Sequence, residues 1–426
     1  MHSMKLRQRL DLLHSHPAFS VAEKIVSTLQ KQGYATVFAG GCVRDSLLGE
    51  TSRDLDVATA AHPEVVEASF ARTLAVGKAF GTIVVVEDHF NIEVTTFRKE
   101  GPYLDGRHPA HVGFTDMEED ARRRDFTVNA LFYDPMDCEL IDYADGLSDL
   151  RAHRLRTVGG PEERFREDRL RMLRAVRFVA QLGFQLDPQA LAAIRRLHAD
   201  LRTVSVERIL SEVKRLLSAL YLKQGLNGLL TSRLAEVFWP EILHLSIDEL
   251  NSFPRFLSWE NAFSAIALVA GHENPEPRLR SWKVSRESLR RILGQMQGAR
   301  TLIRPESTRA ERIKALGRDD FAEVLVLASG LLARAGRDSE SELERWIAEY
   351  RRVADQDGNL PPPWLNGGDL IQLGMAPGVE IGKILSAVYE AQLEGHIHSR
   401  EEALARAHEM WSAGSASSGL AGSKSE

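Results

Sequence analysis

FAGGCVRDSLLGETSRDLDVAT, residues 38–59, decides how the rest of the chain is read. An apolar run enters the pair Gly40-Gly41, and VRDSLLG then carries the pattern of a short helix with Arg44 near its start. Two glycines let backbone N–H groups approach an anion closely, and the start of a helix favours negative charge. Next come Asp54, Leu55 and Asp56, followed by apolar Val57, which reads as a strand. Residues two apart on a strand project from one face. Two carboxylates side by side repel unless a cation joins them, and their hard oxygens suit Mg²⁺. Asp54 and Asp56 are therefore the candidate catalytic metal ligands. Glu93 is either a third carboxylate of this group or a solvent-facing strand residue.

Outward from this stretch, short β-like runs dominate the first third. TVFAG (36–40), GTIVVVE (81–87) and FNIEVTTF (90–97) read as strands, and LFYDP (131–135) with CELIDY (138–143) as a hairpin. PEVVEASF (63–70) suits a helix, and residues 5–33 read as one or two helices. This portion is expected to be α/β with a small mixed sheet. After about Asp149 the β signal ends. REDRLRMLRAVRFVAQLG, PQALAAIRRLHADL and SVERILSEVKRLLSAL space their apolar residues by three and four, with Ser205 as an N-cap. Helices continue to about 412, broken at NPEP (274–277) and NLPPPWLNGG (359–368). The fold class is thus α+β, a β-containing head followed by a long all-α portion.

Composition narrows the setting. With 426 residues the chain exceeds one compact core. No run approaches the ~18 consecutive apolar residues of a membrane span. The opening MHSMKLRQRLDLLHSHP lacks an apolar h-region, so no signal peptide is expected. Two cysteines, Cys42 and Cys138, supply neither a disulfide framework nor a four-cysteine zinc site. A cytoplasmic location fits all three observations. The net charge of −6 argues weakly against nucleic acid, which needs local positive potential. Arginines nevertheless crowd 122–124 and 164–177.

GGCVRDSLLG with RDLDVAT resembles the active-site motif of class II tRNA nucleotidyltransferases (CCA-adding enzymes) and bacterial poly(A) polymerases, of the polymerase-β-like superfamily. The resemblance continues in order. RRRDFTVNAL (122–131) is similar to the ribose-selecting motif, and DYADGLSDLRAHRLRTVG (142–159) to the hinge between head and neck. REDRLRMLRAVRF (166–178) resembles the nucleotide-reading EDxxR motif, and SVERILSEVKRLL (205–217) the neck-stabilising one. PPPWLNGGDLIQLGMAPGVEIGKIL resembles the family's tail, less specifically. Cys42 departs from the small residue, such as Ala, common at its position, and is expected to be buried and inert.

The resemblance implies a catalytic head at 1–149, a base-recognising neck at 150–220, a body at 221–300 and a tRNA-binding tail at 301–413; the end at 414–426, with no large apolar residue apart from Leu420, is expected to be disordered. It implies that Gly40, Gly41, Arg44, Arg124, Glu167, Asp168, Arg171, Arg174 and Arg177 meet the nucleotide, with Asp125 and Asn129 sensing the ribose 2′-hydroxyl. The EDxxR stretch also has a direct reading. On a helix, Asp168, Arg171 and Arg174 form one polar stripe, with Leu173, Val176 and Ala180 on another face. Asp accepts hydrogen bonds and Arg donates several in a fixed fork. Together they suit cytosine and adenine, whose Watson–Crick edges each pair an amino donor with a ring acceptor, and leave guanine and uracil mismatched.

The implied activity is Mg²⁺-dependent addition of CMP and AMP to a tRNA 3′ end from CTP and ATP. The polar segment FRKEGPYLDGRHPAHVGFTD (97–116) resembles the family's loop for switching from C to A, which argues against a CC-only enzyme. Full CCA addition is favoured over A-only addition beside a separate CC-adding enzyme, and over poly(A) synthesis. A catalytically dead RNA-binding relative is disfavoured by the presence of both Asp54 and Asp56. His111, His272 and His398 are scattered, without the HD pair of an appended phosphohydrolase.

Overall fold

The computed structural model describes residues 10–101 and 112–419, which form two compact units, Met1–Leu243 and His244–Glu426. In the first unit, helix α1 (Phe19–Lys31) buries Phe19, Val21, Ala22, Ile25, Val26 and Leu29, the apolar face its spacing requires. The chain then enters β1 (Thr36–Ala39), α2 (Gly41–Leu48) and β2 (Asp56–Thr59). Helix α3 (Pro63–Ser69) follows, then β3 (Thr73–Gly77), β4 (Thr82–Glu87) and β5 (Phe90–Thr96). A short pair, β6 (Arg98–Glu100) and β7 (Val112–Phe114), leads to α4 (Met117–Arg122). Strands β8 (Leu131–Asp134) and β9 (Glu139–Asp142) make the expected hairpin.

Seven strands form one mixed sheet in the order β3-β4-β5-β2-β1-β8-β9. Only β2 and β5 run parallel within it, and their register sets Asp56 directly beside Glu93. The sheet is larger than the sequence suggested because β3 escaped notice: its Leu74 and Val76 are exposed, so it lacks an alternating buried face. One face of the sheet packs Val37, Ala39, Ala58, Phe97 and Phe132 against Ala121 and Val158.

Beyond the hairpin, α5 (Gly146–Arg151) is followed by β10 (Arg154–Leu155), which pairs in parallel with β11 (Gln185–Leu186). The β signal therefore does not end at Asp149. Two-residue strands leave no periodic pattern to read. Between them lie α6 (Pro161–Glu167) and α7 (Leu170–Leu182), and after them α8 (Pro188–Leu197), α9 (Val206–Leu217) and α10 (Leu222–Thr231). Glycines let α10 come close to α7: a Cβ on Gly225 would stand 2.5 Å from the Ala180 Cβ, and one on Gly228 2.9 Å from a Val176 methyl.

Among the described residues of the second unit, the regular elements are all helical. Its longest helices are Arg286–Ile303, Phe321–Arg334, Ser339–Val353, Val379–Glu394 and Arg400–Gly419. The last of these continues six residues into the segment expected to be disordered; 420–426 lie outside the described residues. Half of the segment resembling the C-to-A switch, residues 102–111 with His111, also lies outside them. Among the described residues no helix is long and apolar enough to cross a membrane.

Candidate active site

The turn at Gly40 creates the centre of the site. Gly40 has φ 74°, and a Cβ there would stand 2.8 Å from Arg124 Nη1, so only glycine admits the arginine. Arg124 Nη1 donates to the Asn129 carbonyl at 3.0 Å, and its Nη2 pairs with Asp120 at 3.1 Å. Helix α2 starts at Gly41 and ends on left-handed Gly49. Arg44, one turn in, is buried; it pairs with Asp45 at 2.6 Å and donates to the Asn129 side chain. Cys42 is buried, its thiol donates to the Ala39 carbonyl at 3.4 Å, and burial pushes it up to about 12, consistent with an inert packing role.

Around this turn opens a cavity of about 810 Å³. Gly40, Gly41, Arg44, Asp56, Glu93, Arg124, Asp125 and Asn129 line it from the sheet side, and Asp168, Arg171, Arg174 and Arg177 from the helical side. Twelve of the fourteen residues singled out from sequence thus meet at one cavity. Two do not line it. Asp54 is exposed in the irregular segment before β2, because the strand begins only at Asp56. Glu167 turns the other way, at the end of α6, where it pairs with Arg164 at 3.0 Å and with Arg171, and lines a separate cavity beside Arg122.

The acidic side carries excess negative charge. Burial, then Glu93 and Asp54, push the Asp56 carboxyl up to about 6, and Arg124 only partly opposes them. Among the described residues, no three His, Cys, Asp or Glu side chains form a ready-made cage. Paired carboxylates with unbalanced charge and no full cage fit a hard divalent ion that completes its shell with water and substrate phosphate oxygens.

The basic side is held by carboxylates. Arg174 meets Asp125 at 2.6 and 2.9 Å, and Asp125 also accepts from Asn129 at 3.0 Å. Burial opposes ionisation of Asp125, but Arg174 and Asn129 hold its carboxyl well below the usual range. Arg177 contacts Glu212 of α9 at 2.6 Å, and burial lowers its guanidinium to about 10. The Phe178 ring lies among three of these cations, with the guanidinium carbons of Arg177, Arg44 and Arg174 at 3.6, 5.4 and 5.6 Å from its centroid. Asp168 does not share a helical stripe with Arg171 and Arg174. It sits in the break between α6 and α7 with φ −134° and ψ 107°, where its Oδ1 accepts the Leu170 N–H at 3.0 Å and its Oδ2 accepts from Arg208 at 2.8 Å.

Sequence reasoning passed over Asp120, Arg208 and Glu212. Asp120 and Glu212 are buried acids, and all three pair with arginines or acids of the motifs. Glu212 and Arg208 stand four apart within SVERILSEVKRLL, so their common helix face was the available signal.

A glycine turn opening a helix, a carboxylate pair on adjacent strands and an arginine wall over one cavity are the equipment of a nucleotidyltransferase. Comparison with known proteins agrees. The family model of the poly A polymerase head domain matches residues 36–156, an RNA- and SrmB-binding site of polymerase A matches 183–245, and tRNA nucleotidyltransferase domain 2 matches 255–407. The CCA-adding enzyme of Streptococcus thermophilus is 34% identical over 400 residues, 91% of this chain and 95% of that protein. That of Streptococcus gordonii is 35% identical, covering 93% and 98%. The crystal structure of the Bacillus stearothermophilus CCA-adding enzyme in complex with CTP is 31% identical, with a TM-score of 0.79 over 94% of this chain and 100% of that one. The chain belongs to the CCA-adding enzymes, the tRNA nucleotidyltransferases of this polymerase class.

Proposed function

We propose that this protein adds CMP, CMP and AMP in turn to the 3′ end of tRNA, from CTP and ATP, without a nucleic-acid template. The observation that carries the reading is a single cavity whose sheet side holds Asp56 and Glu93 and whose helical side holds Asp168, Arg174 and Arg177. The reacting phosphate belongs at the acidic side and the base at the helical side.

The tRNA 3′-oxygen forms a bond to the α-phosphorus, the bond from that phosphorus to the bridging oxygen breaks, and pyrophosphate leaves as the hydroxyl proton passes to solvent. Asp54, Asp56 and Glu93 would hold the divalent ion, which we take to be Mg²⁺. When bound, it would ease deprotonation of the attacking hydroxyl and neutralise phosphate charge. The open N-terminus of α2 at Gly40-Gly41, with Arg44 and Arg124, suits the triphosphate. Asp125 and Asn129, joined by a hydrogen bond at the cavity wall, suit the ribose hydroxyls. Asp168 accepting and Arg171 donating suit the amino and ring-nitrogen edge of C and A. Glu167 acts through Arg171, which it holds, without touching the base. We assign tRNA acceptor-arm binding to the helical portion at 301–413, through shape and phosphate contacts, and place the work in the cytoplasm.

Three labelled tRNAs, ending at the discriminator base, at C and at CC, test the reading with CTP, ATP and Mg²⁺. All three should extend to CCA. Addition of one A to the CC-ending tRNA alone would replace the reading with A-only addition beside a separate CC-adding enzyme.

A further inference from the structure

We infer that Arg208 is a specificity-determining positioning residue, which fixes the Asp168 carboxylate in the one orientation that accepts an amino group from C or A. The inference rests on the proposed reading of Asp168 as the base-reading acceptor.

Asp168 does not gain its orientation from a helix. Its backbone is extended at the junction of α6 and α7, so its own element leaves the carboxylate torsion open. Two contacts from different elements close that freedom. The Leu170 N–H, at the start of α7, bonds Oδ1 at 3.0 Å, and Arg208 Nη2, from the first turn of α9, bonds Oδ2 at 2.8 Å. A carboxylate oxygen has more than one acceptor direction, so each keeps capacity for a base. Both residues line the same cavity, and the Arg208 side chain is 25% exposed, which leaves it beside the bound nucleotide's space.

Helix α9 repeats this service along one face. Glu212, one turn past Arg208, contacts Arg177 at 2.6 Å and lies 3.7 Å from Arg174, and Arg215 also lines the cavity. Residues 208, 212 and 215 follow the i, i+4, i+7 spacing of a single helix face. The face therefore supplies a cation to the acid of the base-reading set and an acid to its cations. Uracil and guanine present a carbonyl where cytosine and adenine present an amino group. Against a fixed carboxylate, that carbonyl meets oxygen with oxygen. A carboxylate free to turn away escapes the mismatch, so Arg208 carries discrimination more than affinity.

The test measures kcat/KM for CTP against UTP and for ATP against GTP, on tRNAs awaiting C and A, for the native protein and for Arg208→Ala, Arg208→Lys and Asp168→Ala. Arg208→Ala should lower both discrimination ratios by about 10- to 100-fold, the range expected from losing a hydrogen bond to a charged group. Arg208→Lys, which keeps the charge without the rigid fork, should recover part of the loss. Thermal unfolding of each variant separates this from loss of fold, because a structural role alone lowers the melting temperature without changing the ratios. Unchanged ratios in Arg208→Ala beside relaxed ratios in Asp168→Ala would overturn the role of Arg208 and leave the base reading standing. Unchanged ratios in Asp168→Ala would overturn both.

Discussion

Replacing Gly225 with Ala should both destabilise the first unit and slow nucleotide addition, although Gly225 does not line the cavity. The new Cβ would stand 2.5 Å from the Ala180 Cβ and 3.4 Å from Leu216 Cγ. Carbon atoms in a packed interior rest at about 3.5 to 4.0 Å, so α10 and α7 must separate by roughly 1 Å. Overpacking of this kind costs about 1–3 kcal/mol, and the better helix propensity of Ala returns up to about 1 kcal/mol. A net loss of about 1–2 kcal/mol corresponds to a fall of roughly 2–8 °C in the melting temperature for a unit of this size. Helix α7 also carries Arg174 and Arg177, three to six residues from Ala180, so its displacement misplaces the cations at the cavity. Displacements near 1 Å cost as much as about 100-fold in rate. The assay is calorimetric unfolding with single-turnover addition, for Gly225→Ala, Ala180→Gly and the double variant. Removing the opposing methyl should restore both quantities relative to Gly225→Ala, beyond what the single changes sum to. A neutral Gly225→Ala, or strictly additive effects, would refute the close-packing argument.

In metal-free protein held in chelator above pH 7, Asp56→Asn should raise the melting temperature, and in a separate assay with Mg²⁺ it should abolish addition. Displacement of the carboxyl from 3.8 to about 6 makes the ionised form cost up to about 3 kcal/mol in the folded state. That cost falls away as pH drops from 6 towards 4, so the gap should narrow by about half at pH 5; a variant no more stable at pH 7.5 would sink the account. Asp125→Asn should behave in the opposite sense. Its folded carboxyl lies below the unfolded value of ~3.9, so the stabilisation is complete above about pH 5 and disappears as pH falls further. The variant should melt lower at pH 7 with the deficit vanishing in acid; a deficit independent of pH would contradict the pairing with Arg174. Glu212→Ala strands Arg177, and both side chains are about 95% buried. Breaking such a pair from one side costs about 3–5 kcal/mol, so a change below about 1 kcal/mol in urea unfolding would show that water already screens it.

The glycine turn at the cavity was legible because its pattern is local. A glycine at positive φ, an arginine one turn later and a carboxylate at a strand start all lie within twenty residues, joined by one short helix and seven residues without regular structure. What stayed hidden depends on contacts distant in sequence. The pairing of Asp56 with Glu93 follows from a parallel register across 37 residues, which no local pattern specifies. Glu167 and Asp168 are neighbours in one motif, yet the helix break between α6 and α7 sends one towards Arg164 and the other into the cavity. A continuous helix was the natural reading of REDRLRMLRAV, since no Pro or Gly marks the break. Strand β3 was missed for a related reason: an exposed edge strand has no buried face to impose alternation.

The distribution of charge explains how an acidic chain serves a polyanionic substrate. The net charge of −6 gives no long-range attraction to tRNA. At the cavity, Arg124, Arg174 and Arg177 are each coupled to an acid: buried Asp120, half-buried Asp125 and buried Glu212. Such pairing spends Coulomb attraction that could have gone to phosphate, and it returns fixed geometry. A guanidinium held by a carboxylate on one edge offers its remaining N–H groups in set directions, whereas an unpaired one would swing and attract any anion. A template-independent polymerase needs that trade, because no complementary strand corrects its choice of base. On the proposed reading its selectivity lies in donors and acceptors that do not turn, and the acids behind the arginines then belong to the recognition apparatus as much as the arginines do.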